Sequence, residues 1–515
     1  MKTIVYILII NLFVLMSIDY NIKYNFFSIV WALDKQIENE LILINNKTLK
    51  NNYPETGPLV IKIEDAILIG LDNNRSLKIE KLKPKIQKTY ENEEQGVFDP
   101  VISAKSSIKR EVIENTSNLK TKDIDTEVNL SKFFATGTKL ELKLNNEISD
   151  SNTIEDQEKI RTGISITQSL MQGFSKSVNL AKIQQARIDT FISQYQLRGF
   201  CETLVSNIEK ACWDYILNQK QIEIFTDSLT FAENQLWEIK ERIKVGKLPK
   251  IERYAAEAEV ARRREALINA KNDFEISLLK LQRFLNFPKH APWNRNITIL
   301  DKPEIPDEGI ENVDNHVVVA LKWRPEIKQM NLQLKQGDIE IVKTKNGILP
   351  KLDLFINMGK SGYSQSFSSS IRDLEGQNYD ISCGISFEYP VNRSGSKAIY
   401  KRAVLNKKLS EEALINLTQL IEFDVRTAYI NVKRTREQIT ASAATLKYQK
   451  ETLRAENEKF KVGKSTSLLV AQAQRDFVNS QISNIDSKIG YLKALIDFYH
   501  LEGSLLERRG VGVKP

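Results

Sequence analysis

Two stretches of the chain, residues 175–242 and 393–460, hold a helical alternation of apolar and polar positions without a single proline. Each leads into the same four letters, Lys244-Val245-Gly246-Lys247 and Lys461-Val462-Gly463-Lys464. The pattern predicts two helices, each closed by a glycine turn. At ~1.5 Å of rise per residue each would reach about 100 Å, whereas an ordinary globular helix has about 11–12 residues. Return helices are predicted over 250–286 and 467–503, and a further helix over 315–346. In the first return helix Ala255, Ala258, Ala261, Ala266 and Ala270 permit close approach. Leu267, Phe274, Leu278 and Leu281 add an apolar seam at spacings of three, four and seven. Rods of this length, packed side by side, suit the wall of a tube.

Elsewhere the period changes from helical to two. Ile381, Cys383, Ile385, Phe387 and Tyr389 alternate with Ser382, Gly384, Ser386 and Glu388. Leu352, Leu354, Ile356 and Met358 alternate with Lys351, Asp353, Phe355 and Asn357. Ile164, Ile166 and Leu170 share one face, and a weaker strand begins at Val101. Strands are predicted at about 98–110, 162–171, 350–359 and 379–391. Thr138–Leu144 alternates cleanly as well and predicts an additional or extended hairpin, with a strand at about 138–146. Such runs are long enough to cross a bilayer at a tilt, and one apolar with one polar face is what a membrane barrel requires. A half-buried soluble sheet has the same alternation.

The chain also repeats itself. Residues 66–77 resemble 316–327, with Leu71 on Leu321 and Leu77 on Ile327, and Pro100 lies 250 residues before Pro350. Gly163-Ile164-Ser165-Ile166 matches Gly384-Ile385-Ser386-Phe387, 221 residues on, and Gly246 precedes Gly463 by 217. Each copy therefore reads as helix, strand, strand, long helix, tip and return helix, and the first copy has the longer strand region. The expected division is a signal peptide over 1–32, a polar lead-in over 33–58, repeats over 59–300 and 301–508, and a tail over 509–515.

The signal peptide rests on Lys2, the apolar run Ile4–Ile10 that continues to Met16, and Val30-Trp31-Ala32 as a small-residue cleavage site. An uncleaved anchor would be exported equally. No later segment has about 18 consecutive apolar residues, so a mature chain that spans a membrane must use strands. Four main strands cannot close alone, since the smallest single-chain barrels have about eight. Three chains of four strands would close a 12-stranded barrel and at the same time arrange the helical hairpins into a ring. The expected fold class is thus mainly α with β: long antiparallel helical hairpins as an α-barrel, four or more membrane strands per chain, a trimer, and an internal tandem repeat.

Composition narrows the function. The 515 residues carry 74 Lys and Arg against 66 Asp and Glu, 27% charged in all, and the mean hydropathy is −0.34. The charges interleave along the helices as a solvated face, which argues against a nucleic-acid partner. Cys201, Cys212 and Cys383 read as small hydrophobes. His290, His316 and His500 have no metal-ligand spacing. With no phosphate loop and no nucleophile elbow, neither an enzyme nor a cofactor is expected.

Taken together these segments resemble the TolC family of outer-membrane efflux channels over nearly the whole mature length. The resemblance is carried by Asp65-Ala66, Asn73-Asn74 and Leu77 with Arg324-Pro325-Glu326-Ile327, by Phe98-Asp99-Pro100 with Leu349-Pro350, and by Thr136-Gly137-Thr138, an extra-strand feature of some members. Thr167–Phe174, Phe387–Val391, Arg242–Gly246, Phe460–Lys464 and Leu468-Leu469 complete it. Two departures are Ser169, where the family usually has proline, and Pro84, which is expected to kink the first helix. The resemblance implies a homotrimer in the outer membrane, surrounded by its lipid, with a helical part in the periplasm. It implies docking of a periplasmic adaptor, linked to an inner-membrane transporter, at tips formed by Val245, Gly246, Lys247, Val462, Gly463 and Lys464. The flanking lysines read equally as charges that complement the helix dipole. Glu238, Glu241, Glu456 and Glu458 are candidates for a periplasmic constriction, or else are exposed partners of neighbouring Lys and Arg. Conduction of substrate in an efflux or type I secretion system is the function implied. A periplasmic coiled-coil scaffold or tether without a pore is the alternative that the helices alone leave open.

Overall fold

The computed structural model describes residues 58–113, 119–151, 154–287, 293, 295–306, 309–310 and 312–511. The expected signal peptide, all but the last residue of the lead-in, His290 and the final four residues of the tail lie outside them. In chain order the elements are β1 (Leu59–Ile61), α1 (Ile63–Asn73), α2 (Arg75–Glu80), α3 (Lys83–Gln95), β2 (Val101–Ile113), β3 (Leu119–Phe133), β4 (Thr138–Ser151), β5 (Ile154–Ser169), α4 (Lys176–Asn179), α5 (Ala181–Lys244) and α6 (Glu252–Leu285). There follow β6 (Ile297–Ile299), α7 (Val313–Trp323), α8 (Pro325–Asn346), β7 (Lys351–Ser364), α9 (Phe367–Asp373), β8 (Tyr379–Glu388), α10 (Ser394–Lys461), α11 (Ser467–Glu502) and α12 (Leu505–Arg508). Two compact units divide the chain, and each takes segments from both repeats. One holds the described residues up to Glu80, Gln196–Pro325 and those from Thr418 on; the other holds Lys81–Tyr195 and Glu326–Leu417.

In the first unit β1 and β6 form a parallel pair, Leu59 opposite Ile297 and Ile61 opposite Ile299. All four side chains are buried, a gain of roughly 1.5–3 kcal/mol for each such residue. Helices α1 and α7 follow these strands and end alike. The Asn74 amide closes on the Gly70 carbonyl at 2.9 Å, and the Arg324 amide on the Ala320 carbonyl at 2.9 Å. Both residues then turn to extended geometry, with ψ 122° and 129°. Position 324 precedes Pro325, which disfavours helical geometry there and lacks an N–H to continue the ladder. The helix expected over 315–346 is accordingly two helices, α7 and α8. In the first copy Asn74 makes the break by capping, its Oδ1 accepting from the Leu77 amide at 3.1 Å. Pro84 interrupts no helix: it occupies the first turn of α3, where a missing N–H costs nothing.

The second unit contains a six-stranded antiparallel sheet in the order β2-β3-β4-β5-β7-β8. The four main strands expected are β2, β5, β7 and β8. The hairpin β3–β4 lies between β2 and β5, joined by full ladders on both sides. Its second strand begins at Thr138, where the alternation begins; its first, Leu119–Phe133, was not among the expected strands. Directly opposed residues share a face, and Ile102, Leu130, Leu142, Ile164, Met358 and Ile381 form one row across all six strands. The other face is charged. Lys105 stands opposite Glu127 and Glu147 opposite Lys159, and Arg161 reaches Asp380 at 2.6 Å. Among the described residues no helix is long and apolar enough to cross a membrane.

Candidate functional site

The long helices α5 and α10 end in the same hydrogen-bond pattern. At the first tip the Lys247 amide donates to the Arg242 carbonyl at 2.8 Å and the Gly246 amide to the Ile243 carbonyl at 3.0 Å. At the second the Lys464 amide donates to Lys459 at 2.8 Å and the Gly463 amide to Phe460 at 3.1 Å. This is the Schellman ending, which satisfies the last carbonyls and needs a left-handed residue at one position. Gly246 has φ 72° and Gly463 φ 76°, the region that costs other L-residues about 1–2 kcal/mol. The second return helix, α11, is then capped by Thr466, whose side chain accepts from the Leu469 amide at 3.4 Å.

A small apolar core holds the two tips together. Ile239, Phe460 and Val470 are buried, with Phe231, Ile243, Leu248 and Ala256 packed on them. The Arg242 guanidinium lies 4.6 Å from the Phe460 ring centroid and donates to the Phe460 carbonyl at 3.2 Å. Glu238 fixes Arg242 at 2.6 Å. The return helices are joined by Glu252, which accepts from Ser467, and by Glu259, which holds Arg263 at 2.7 Å and Arg475 at 3.1 Å.

The outward surface of the tips is apolar with a basic margin. Val245 and Val462 are 66% and 69% exposed, and Ile251, Tyr254, Leu468 and Leu469 are exposed beside the tip turns. Lys244, Lys247, Lys461 and Lys464 are exposed as well. The six tip residues singled out from the sequence therefore lie on two matched, solvent-facing turns.

Each of the four candidate glutamates has a basic neighbour on its own helix: Glu238 with Arg242, Glu241 with Lys244, Glu456 with Lys459 at 2.6 Å and Glu458 with Lys461 at 2.8 Å. Glu238 and Glu458 line one groove of about 670 Å³ between α5 and α10, with Asn234, Arg454 and Lys461. Glu241 is absent from that groove's lining, and Glu456 turns to the loop, where Ser465 donates to it at 2.7 Å. Lys459 and then Ser465 hold the Glu456 carboxyl below its usual range, and Lys461 does the same for Glu458. Sequence reasoning singled out neither Arg242 and Phe460 as a contact nor the Ser467–Glu252 link. The Phe460-to-Gly463 spacing carries a local signal for the turn, but none for the partner helix. Among the described residues no group of three or more His, Cys, Asp and Glu is placed to hold a metal ion, and Cys201, Cys212 and Cys383 are free thiols.

Residues 317–504 match the family model described as outer membrane efflux protein. No curated protein matches the sequence. Solved structures with a similar fold include CusC, whose report concerns transmembrane channel formation, at TM-score 0.65 and 14% identity over 88% of this chain and 95% of that one. The Campylobacter jejuni CmeC outer membrane channel is similar at TM-score 0.64 and 16% identity, over 86% of each chain. The Neisseria gonorrhoeae MtrE outer membrane channel in its open state is similar at TM-score 0.62 and 17% identity, over 86% of this chain and 89% of that one. Residues 317–504 thus match the outer membrane efflux protein family model, and the chain has the fold of the TolC-family outer-membrane channels.

Proposed function

We propose that this protein is the outer-membrane exit duct of a tripartite efflux or type I secretion system, working as a homotrimer. Its sheet faces outer-membrane lipid, and its helices stand in the periplasm. A periplasmic adaptor docks on the tips at Val245–Lys247 and Val462–Lys464, and an inner-membrane transporter supplies the substrate and the energy. Conduction breaks no bond and calls on no catalytic residue. Glu238 and Glu458, which share one groove, are the better placed of the four glutamates to line a periplasmic constriction.

The observation that carries this reading is the two-faced sheet with two unpaired edges. Ile102, Leu142, Ile164, Met358 and Ile381 form an exposed apolar row on one face, which a soluble protein rarely leaves open. Among the described residues the edge strands β2 and β8 have no outer partner, a state that a ring of identical copies removes. A periplasmic scaffold without a pore has no use for that face. The test is extraction followed by electron microscopy of the full chain. Release from membranes only by detergent, as hollow particles with three-fold symmetry, is the expected result. Release by carbonate as solid rods would sink the channel reading and promote the scaffold.

A further inference from the structure

We infer that the membrane barrel has 18 strands, because six strands rather than four come from each of three chains. This rests on the trimeric duct proposed above.

The question is whether the hairpin β3–β4 is wall or an appendage outside the membrane. Its hydrogen bonding says wall. β3 pairs with β2 from Leu119 opposite Ile113 to Ser131 opposite Val101. β4 pairs with β5 from Thr138 opposite Gln168 onward. β2 and β5 are therefore not neighbours, and the sheet is continuous only through the hairpin. The two strands have 15 and 14 residues, more than the ~9–11 a tilted crossing needs.

The side chains agree. Ile124, Val128 and Leu130 of β3, with Thr126 among them and Lys122 and Lys132 at either end, and Leu140, Leu142, Leu144 and Ile148 of β4, fall on the same face as Ile102 of β2 and Ile164 of β5. Asp123, Asp125 and Glu127, with Glu141, Lys143 and Glu147, fall on the other. An appendage in water gains nothing from a face of aliphatic side chains in register with a lipid-facing row. A wall strand must have one.

The turn of the hairpin is also tied to the base of the wall. The Ser169 amide donates to the Gly137 carbonyl at 3.1 Å. Asn179 bridges the carbonyls of Ala135 and Gly173 at 3.0 and 2.8 Å. The turn thus ends level with the point where β5 leaves the sheet. An even number of strands leaves β2 and β8 running in opposite directions, so β8 of one copy meets β2 of the next in antiparallel pairing.

Barrel diameter grows roughly linearly with strand number. A ring of 18 strands is about 1.5 times as wide as one of 12 and about twice as open in area, in the size range that encloses an aqueous channel. The exit across the membrane then imposes little restriction on a large hydrated cargo.

Cryo-electron microscopy of the full chain in lipid nanodiscs tests this by strand count. Three-fold particles with 18 strands in the belt are expected. Three-fold particles with 12 strands, and residues 119–151 folded outside the belt, would overturn the inference and leave the duct intact. Particles without three-fold channel symmetry would overturn the duct reading and this inference with it. Thiol labelling in proteoliposomes gives a second readout in a Cys383→Ser background. Asn129→Cys and Lys143→Cys should react with a membrane-impermeant maleimide, and Val128→Cys and Leu142→Cys should be protected. Equal reaction at all four positions would contradict a wall.

Discussion

The Arg242 side chain closes on Phe460 twice, with its cationic plane 4.6 Å from the ring centroid and an N–H donated to the backbone carbonyl at 3.2 Å. One residue at the end of the first long helix is thereby fastened to the end of the second. A cation–π contact of this kind contributes roughly 0.5–2 kcal/mol, and a charged hydrogen bond about 1.5–3. Arg242→Ala should raise amide exchange in residues 239–246 and 456–464 by about tenfold for each 1.4 kcal/mol lost. Arg242→Lys should fall between, since it retains charge but not the planar fork. Unchanged exchange in hydrogen–deuterium mass spectrometry would show that the apolar core alone holds the tips.

The glycines of this fold differ in what they tolerate. A Cβ at Gly246 or Gly463 would meet nothing within 4 Å, so alanine there costs only the left-handed backbone, about 1–2 kcal/mol. Gly137 has φ 85° as well, but its Cβ would come within 2.4 Å of the Gly173 carbonyl oxygen. Gly137→Ala should therefore lower the midpoint of thermal unfolding well beyond Gly246→Ala or Gly463→Ala, as followed by circular dichroism. Equal shifts would mean that the β3–β4 turn is free to move away from Gly173.

These glycines explain why the tips are legible in sequence and much else is not. A Schellman ending depends on one left-handed residue at one place, so Lys-Val-Gly-Lys written twice is a local record of it. The strand β4 is equally local, because Leu140, Leu142 and Leu144 alternate with charges. In β3 the same face carries Lys122, Thr126 and Lys132 between Ile124, Val128 and Leu130, and the period is too broken to stand out. The break at Asn74 has no proline to mark it and rests on one capping bond. The roles of the glutamates depend on distance through space: Glu456 is claimed by Ser465, nine residues on and across a turn, while Glu238 and Glu458 share a groove because two helices 217 residues apart pack together. Periodicity records which face of an element is apolar; it does not record which element lies opposite.

Glu456 and Glu458 have carboxyls held below their ordinary range by Lys459, with Ser465, and by Lys461. A depressed carboxylate contributes stability above its unfolded pKa of 4.5, and loses it as pH falls through the lower folded value. Glu456→Gln should therefore loosen the turn at neutral pH, and the difference from the unsubstituted protein should vanish in acid below 4.5. Exchange of the Gly463–Ser465 amides across pH, corrected for intrinsic rates, is the measurement. A difference that persists undiminished in acid would assign the effect to shape rather than charge.

Glu209 and Arg509 give the opposite sign. Glu209 is buried and accepts two bonds from Arg509 at 2.6 and 2.8 Å. Burial pushes its carboxyl upward despite that partner. Arg509→Ala should cost roughly 2–3 kcal/mol at neutral pH, somewhat below the 3–5 typical of a fully buried pair because the guanidinium is partly exposed. In that variant the folded pKa rises further. The stability of the variant should then be greatest below 4.5, where Glu209 is neutral in both states, and fall as pH rises through the folded value. Unfolding midpoints for both proteins from acid to neutral pH decide it; a constant gap between them would contradict an ionised Glu209.

Leu142 and Lys143 are adjacent in β4 and point to opposite faces, so they separate the two environments most sharply. Leu142 stands between Leu130 and Ile164 in the apolar row, and Lys143 between Asn129 and Gly163 on the charged face. If the row faces lipid, Leu142→Arg places a charge near the bilayer midplane at a cost of roughly 2–4 kcal/mol. Lys143→Leu, on the watered side, should change stability by no more than about 0.5 kcal/mol. Denaturant titration of the two variants in vesicles, followed by the loss of heat-resistant assembly on gels, measures the contrast. Were the hairpin in water, Leu142→Arg would be nearly as mild as Lys143→Leu, because a surface aliphatic replaced by a solvated guanidinium loses little. A large and one-sided cost at Leu142 therefore reports lipid at a strand that belongs neither to the start nor to the end of its repeat, which is the position only a wall of six strands per chain would give it.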